Sequence, residues 1–149
     1  MSKTKKKKSK KIKKKISKKT KENSKEILTA ALLIHAAKID ENYSNHEKEI
    51  IKKALINLNI AKTDDVENII KQAEKKEKES NQLVGFTQEI KKSPMEFRLK
   101  IIEILWKIVY SDTNNINYES NLIRRICGLL YVSDKDSGLI KEKIIKSIK

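Results

Sequence analysis

The feature that most limits the fold of this chain is an apolar run from Ile27 to Ala37, interrupted only by Thr29 and His35. A helix over about residues 24–39 would be apolar nearly all round, which is typical of a helix enclosed by other helices. The run is much shorter than the ~20 residues that a membrane-spanning helix needs. It therefore predicts a central core helix, with His35 as a packed or partnered core residue rather than a ligand.

Other apolar residues recur with the spacing of amphipathic helices. Such stripes run through 50–58, 66–73 and 118–130; a short segment ends near Ile90, a long one runs from Pro94 to about Tyr110, and a last one follows Ser133. The chain has only three Gly and one Pro, so few residues favour leaving a helix. We predict an all-α fold, a compact bundle of about seven helices.

Three serines mark expected helix starts. Ser44 and Glu47 form a capping-box pattern, in which each side chain satisfies a backbone N–H group of the other residue. Ser93 before Pro94 predicts an N-cap serine followed by proline at the first helical position. Ser133 is a cap candidate for the last helix. The stretch 74–79 has no apolar member, so we expect either the exposed end of the third helix or a solvated joint.

The formal charge of +15 is concentrated at the N-terminus. Residues 1–21 contain 13 Lys and no acid, whereas the remaining residues contain 22 basic and 20 acidic side chains and carry about +2. A block of like charges repels itself and offers no apolar face to bury. We therefore predict a disordered polybasic tail over residues 1–22 and a helical domain over residues 23–149.

Three interpretations of the tail remain open: counterion-release binding to DNA or RNA, attraction to an anionic membrane surface, or a solvated tail without a specific partner. The tail has no arginine and no aromatic residue, so any nucleic-acid binding is expected to lack sequence preference. The lysines that would provide the attraction are Lys5, Lys6, Lys7, Lys8, Lys10, Lys11, Lys13, Lys14 and Lys15.

The residues that usually carry chemistry are sparse. Cys127 is the only cysteine, which excludes an intrachain disulfide, fits a reducing cytoplasm and predicts a buried, inert thiol. Phe97 and Trp106 follow helical spacing and are expected in the core. No catalytic Ser/His/Asp or Cys/His arrangement, paired carboxylate or Gly-rich phosphate loop stands out, so we do not expect an enzyme.

Two segments 72 positions apart share the pattern Asp-x-Asn-x-x-Asn-x-Glu, at 40–47 and 112–119. Each lies between an apolar helix and an amphipathic one, which predicts two similar helix–turn–helix halves. The register of neither turn is that of an EF-hand, and these residues can equally fix turns and helix starts. The candidate ligands for Ca²⁺ or Mg²⁺ are Asp40, Asn42, Glu47, Asp112, Asn114 and Glu119.

The same turns, together with the runs Phe86–Ile90, Phe97–Trp106 and Leu122–Ser133, give the chain a family resemblance. In order and spacing they resemble the tellurite-resistance TerB family over about residues 26–145. The resemblance implies an all-helical fold, a cytoplasmic setting, an acidic surface for divalent metal and a role in stress-response complexes. It implies no reaction, and it leaves the protein partner unidentified.

The chain departs from the family's pattern at both turns. Where the family usually has Asp-Gly, this sequence has Asp40-Glu41 and Asp112-Thr113, and asparagines replace several of the acids that follow. Neutral amides bind hard cations less strongly than carboxylates, so any cation site should be weak. The sequence thus favours a TerB-like interaction or scaffold domain, with a nucleic-acid-associated protein acting through the tail as the alternative.

Overall fold

The computed structural model describes residues 24–39, 43–79, 82–111 and 120–148. Within these ranges the chain forms helices joined by short loops, and no strand is present. The prediction of an all-α bundle of about seven helices is confirmed. The helices are α1 (Lys25–Ile39), α2 (Asn45–Asn57), α3 (Val66–Glu79), α4 (Leu83–Ile90), α5 (Met95–Val109), α6 (Asn121–Leu129) and α7 (Asp134–Ile148).

Helix α1 lies at the centre of the bundle. Every residue from Ile27 to Ala37 is buried, including His35, and α1 packs against α2, α3, α4 and α5. The one hydroxyl in this stretch, that of Thr29, donates to the carbonyl oxygen of Lys25 at 2.6 Å, so its burial leaves no unmet hydrogen bond. The core helix predicted from the apolar run is confirmed. None of the described helices combines the length and apolar character that a bilayer span would need.

The internal repeat extends beyond the two turns into the packing of the helices. In the half formed by α1–α3 and in the half formed by α5–α7, the first and third helices make the most extensive contact. The second helices also end alike: Asn59 after α2 and Tyr131 after α6 have φ of 59° and 56° and lie 72 positions apart. In both, the next backbone N–H donates to a carbonyl oxygen five residues earlier and so closes the helix end. Ile60 donates to Leu55 and Val132 donates to Cys127, each at 2.8 Å.

Two of the three predicted serine caps are confirmed. The Ser44 hydroxyl accepts from the Glu47 amide at 3.5 Å, while the Glu47 carboxylate accepts from the Ser44 amide at 3.3 Å. Ser133 accepts from the Asp136 amide at 3.1 Å and so caps α7.

The third predicted cap, Ser93, is wrong by one residue. Helix α5 begins at Met95, and Pro94 precedes it in an extended conformation with φ −54° and ψ 151°. Proline was therefore misplaced at the first helical position, and α5 has no side-chain cap. The carbonyl oxygen of Ser93 instead accepts from the Arg98 guanidinium at 2.9 Å, and the same guanidinium donates to the carbonyl oxygen of Leu130. These bonds hold the chain outside the helix before Met95.

Candidate functional site

The most concentrated set of ionisable and hydrogen-bonding side chains lies beside the first Asp…Glu turn. It is formed where the last turn of α1, the start of α2 and the last turns of α3 meet. We call this group the turn-side cluster. Its members are His35, Lys38, Tyr43, Lys48, Glu74 and Glu77.

Glu77 is the buried centre of the cluster, with only 5% of its surface exposed. Its Oε1 accepts from Lys38 Nζ at 2.6 Å, and its Oε2 lies 3.3 Å from His35 Nδ1. Burial by itself would raise the pKa of the Glu77 carboxyl, but the bonds to Lys38 and His35 and their charges outweigh that effect and lower it. The buried carboxylate is therefore held in its charged form.

Glu74 forms the outer part of the cluster, one helical turn before Glu77. Its carboxylate accepts from the Tyr43 hydroxyl at 3.0 Å and from Lys48 Nζ at 3.3 Å. Burial raises the pKa of Tyr43, and the hydrogen bond to Glu74 and the nearby carboxylate charges raise it further. Tyr43 therefore stays a neutral donor, and Glu74 ties α3 to the start of α2.

The two carboxylates of the cluster face two lysine ammonium groups and the imidazole of His35. No buried side-chain nitrogen or oxygen among the described residues lacks a hydrogen-bond partner. In the same part of the chain, no group of three or more His, Cys, Asp or Glu side chains is placed to hold a metal. The arrangement can fix the two chain ends that flank residues 40–42, at Ile39 and Tyr43.

Sequence reasoning missed Glu77, and the expectation that residues 74–79 are wholly exposed or solvated is wrong at this position. Helix α3 does continue to Glu79. A signal was present, because Val66, Ile70, Ala73 and Glu77 recur at the spacing of one helical face, and all four are buried. An acid that continues an apolar stripe must find a charged partner in the core. Here the partners are His35 and Lys38, which confirms His35 as a partnered core residue.

Of the six candidate metal ligands, Glu47 is the one that the structure describes. Its carboxylate takes part in the capping box with Ser44, through both the backbone amide and the hydroxyl. Burial would raise the pKa of Glu47, but the hydrogen bonds from Ser44 lower it on balance. Glu47 is thus an ionised oxygen donor of the kind that Ca²⁺ and Mg²⁺ prefer, although it already serves the start of α2. Asp40, Asn42, Asp112, Asn114 and Glu119 lie outside the described residues, as do the tail lysines Lys5–Lys15.

The remaining residues singled out from the sequence are core residues. Trp106 is buried and donates its indole N–H to the Ser137 hydroxyl at 3.0 Å. Phe97 is partly buried and packs against the core. Cys127 is 1% exposed, and burial raises the pKa of its thiol, with a smaller opposing effect of the Ser137 hydroxyl.

One known protein family matches most of the chain. The family model described as tellurite resistance protein TerB matches residues 26–142, from the first turn of α1 into α7. The chain belongs to the TerB family. The match takes in all of the turn-side cluster and both Asp…Glu turns of the TerB domain. No curated protein and no solved structure is significantly similar to the chain.

Proposed function

We propose that this TerB domain is a non-catalytic interaction module of the cytoplasm, with a role in stress-response complexes and a weak divalent-cation site at its Asp…Glu turns. The observation that carries the proposal is the turn-side cluster. Its acidic and basic side chains pair with one another, and these bonds hold the ends of the first turn, so its residues act as supports rather than as reactants. A turn held at both ends loses less conformational entropy when its oxygens gather around an ion.

The ionised Glu47 carboxylate supports the cation site, because it stands at the end of the turn that carries Asp40 and Asn42. Ca²⁺ and Mg²⁺ take oxygen ligands of these types. Glu47 binds Ser44 through its carboxylate, so coordination would compete with the capping box. That competition, together with the asparagines in the turn, is consistent with a weak site.

A groove lined by both apolar and polar side chains, with exposed apolar residues at its edge, supports a protein partner. Val84 of α4 is 56% exposed and Tyr131, after α6, is 65% exposed. Together with Leu129 they line a groove of about 310 Å³. Exposed aromatic and aliphatic side chains in a concave surface are typical anchors of protein–protein contacts. We expect Tyr131→Ser to lose a co-purifying partner, identified by mass spectrometry, that the matched variant Leu139→Ser keeps. Retention by both variants would count against this groove.

The cation site is tested by thermal unfolding of the full chain with and without millimolar Ca²⁺ or Mg²⁺. An ion at ten times its dissociation constant should stabilise the folded state by about 1.4 kcal/mol through mass action. The variant Asp40→Asn with Asp112→Asn should lose the rise in midpoint, whereas Asp64→Asn, an exposed acid before α3, should keep it. An equal response of all three proteins would remove the two turns from the proposal.

A second candidate function rests on the 13 Lys in residues 1–21: non-specific DNA or RNA binding by the tail. Replacing all 13 of these lysines with Gln should abolish binding and flatten its salt dependence, because each neutralised phosphate contributes about −0.9 to the slope of log K against log salt on duplex DNA. Binding that survives the replacement at physiological salt would show that the tail is not the source of the affinity.

A further inference from the structure

The internal repeat allows a comparison of the two halves of the molecule, position by position. Lys52 of α2 and Arg124 of α6 are equivalent, because they lie 72 positions apart, the same separation as Asn59 and Tyr131. Lys52 Nζ lies 2.6 Å from a carboxylate oxygen of Glu67 and 3.2 Å from one of Glu49. The first half therefore neutralises its cation with two acids of its own.

The second half lacks both acids. The position equivalent to Glu49 is Asn121, and because the buried faces of α3 and α7 are related by 71 positions, the position equivalent to Glu67 is Gly138. Neither residue carries a charge. The Arg124 side chain is exposed, and among the described residues it forms no ion pair. Among the described residues, the cation at this position therefore lacks the carboxylate partners that Lys52 has in the first half.

Arg124 does not project from a flat surface; it lines a pocket of about 180 Å³ between α5, α6 and α7, which we call the Arg124 pocket. Lys141 of α7 lines the same pocket, and its Nζ lies 5.2 Å above the centre of the Trp106 ring. A cation–π contact of this kind restricts the ammonium group to the pocket wall. Two cations from different helices therefore face one concave space.

The other walls also suit an anion. Ser120 is the N-cap of α6, and its hydroxyl accepts from the Ile123 amide at 3.1 Å, which leaves its proton available to an acceptor in the pocket. Ser137 and Gly138 belong to the first turns of α7. The starts of two helices thus border the pocket, and helix starts favour negative charge. Among the described residues of the lining Asp134 is the single acid, so their fixed charges sum to about +1.

We propose that the Arg124 pocket binds a phosphate group. A guanidinium matches two oxygens of a tetrahedral oxyanion, and Lys141 and Ser120 supply further donors. The pocket has the volume of about six water molecules, so it admits a phosphate or the phosphate end of a larger molecule but not a whole nucleotide. Asp134 would repel the anion and direct it toward the Arg124 and Lys141 side.

Trp106 is the only tryptophan of the chain and forms part of the pocket wall, so its fluorescence reports on occupancy. We would titrate the full chain with inorganic phosphate at constant ionic strength and follow both the fluorescence and the unfolding midpoint. A saturable change is expected. Arg124→Gln and Lys141→Gln should each weaken binding about tenfold, the usual effect of losing a hydrogen bond from a charged donor. Asp134→Asn should bind several-fold more tightly, because it removes the one repulsive charge.

Two further variants separate a local site from general charge attraction. Arg125→Gln removes the same charge from the adjacent exposed position, which does not line the pocket, and should leave binding unchanged. The double variant Asn121→Glu with Gly138→Glu restores the acids of the first half and should close the pocket to phosphate while Arg124 is kept. A Cβ at Gly138 would meet no other atom within 4 Å, so the fold should tolerate the change.

The proposal is overturned by a flat fluorescence titration together with an unchanged unfolding midpoint. It is also overturned if Arg125→Gln weakens binding as much as Arg124→Gln does, or if the double variant binds normally. A parallel titration with O-phosphoserine distinguishes two sources of the ligand. Tighter binding of phosphoserine than of inorganic phosphate indicates a phosphate carried by a larger molecule, and the reverse order indicates the free ion; either order supports the site.

Discussion

Replacing Glu77 with glutamine changes the buried centre of the turn-side cluster with little change in shape. Glutamine has nearly the same volume, so no cavity is expected. It removes the negative charge that faces Lys38 and His35, and it replaces one carboxylate oxygen with an amide nitrogen that cannot accept a hydrogen bond. The variant therefore tests whether the charge of Glu77, rather than its volume, stabilises this end of α1 and α3.

The expected magnitude follows from the burial of the partners. Removing one member of a fully buried ion pair costs about 3–5 kcal/mol. The Lys38 side chain is 35% exposed and can turn toward water, so the loss should be nearer the value for hydrogen bonds to charged groups, about 1.5–3 kcal/mol. We expect the free energy of unfolding to fall by about 2 kcal/mol. For a domain of this size that corresponds to a drop of about 6–10 °C in the thermal midpoint.

The assay is urea unfolding followed by circular dichroism, with Glu79→Gln as the matched control. Glu79 ends the same helix, is exposed and forms no ion pair with another described residue. The control should change the free energy of unfolding by less than about 0.5 kcal/mol. If the two variants unfold at the same urea concentration, the buried charge does not stabilise the fold and the reasoning fails.

Three further measurements test the charge of Glu77, the burial of Cys127 and the backbone conformation at Tyr131. Because the folded-state pKa of Glu77 is lowered, its contribution to the free energy of unfolding is complete above the ordinary glutamate pKa and is lost as the pH falls through the lowered value. Urea unfolding at decreasing pH should therefore show the free energies of unfolding of wild type and Glu77→Gln converging in acid. A difference that stays constant with pH would contradict the assignment. Cys127 should react with a thiol reagent much more slowly in the folded protein than in urea, because burial excludes the reagent and raises the thiol pKa; equal rates would contradict its burial. Tyr131→Gly should raise the free energy of unfolding by about 1 kcal/mol, because a left-handed backbone strains tyrosine but not glycine. Asn59→Gly should change the free energy of unfolding less. If Asn59→Gly stabilises the protein as much as Tyr131→Gly or more, the backbone at Tyr131 is not strained.

The sequence was sufficient for the parts of the fold that depend on local chemistry. The uninterrupted burial of α1 follows from its apolar run, and the caps at Ser44 and Ser133 follow from side chains that reach amides three residues away. The start of α5 was displaced by one residue because Arg98, a residue within that helix, binds the carbonyl oxygen before Pro94. A contact of this kind depends on the completed turn and is not visible in the local pattern.

The residues of the candidate sites were harder to predict, because they depend on which distant positions meet. Glu77 lies 42 positions from His35, and only the packing of α3 on α1 brings the two together. Likewise, Arg124 and Lys141 are surface cations in the sequence, and the pocket that joins them exists only after α6 and α7 have packed against α5. Asp40 and Asp112, by contrast, were chosen from a repeated local pattern, and their role as ligands stays a prediction.

The position of α1 couples the unfolding of the two repeated halves of the domain. The helix contacts four others and belongs to only one of the two repeated halves, so neither half can expose its share of the core without disturbing α1. The amide protons between Ile27 and Ala37 should therefore exchange with deuterated solvent only when the whole domain unfolds, whereas those near the ends of α7 should exchange through local fraying. Although the sequence repeats, the domain should behave as one cooperative unit, and a chain divided between α3 and α4 should yield two fragments that fold only when they are mixed.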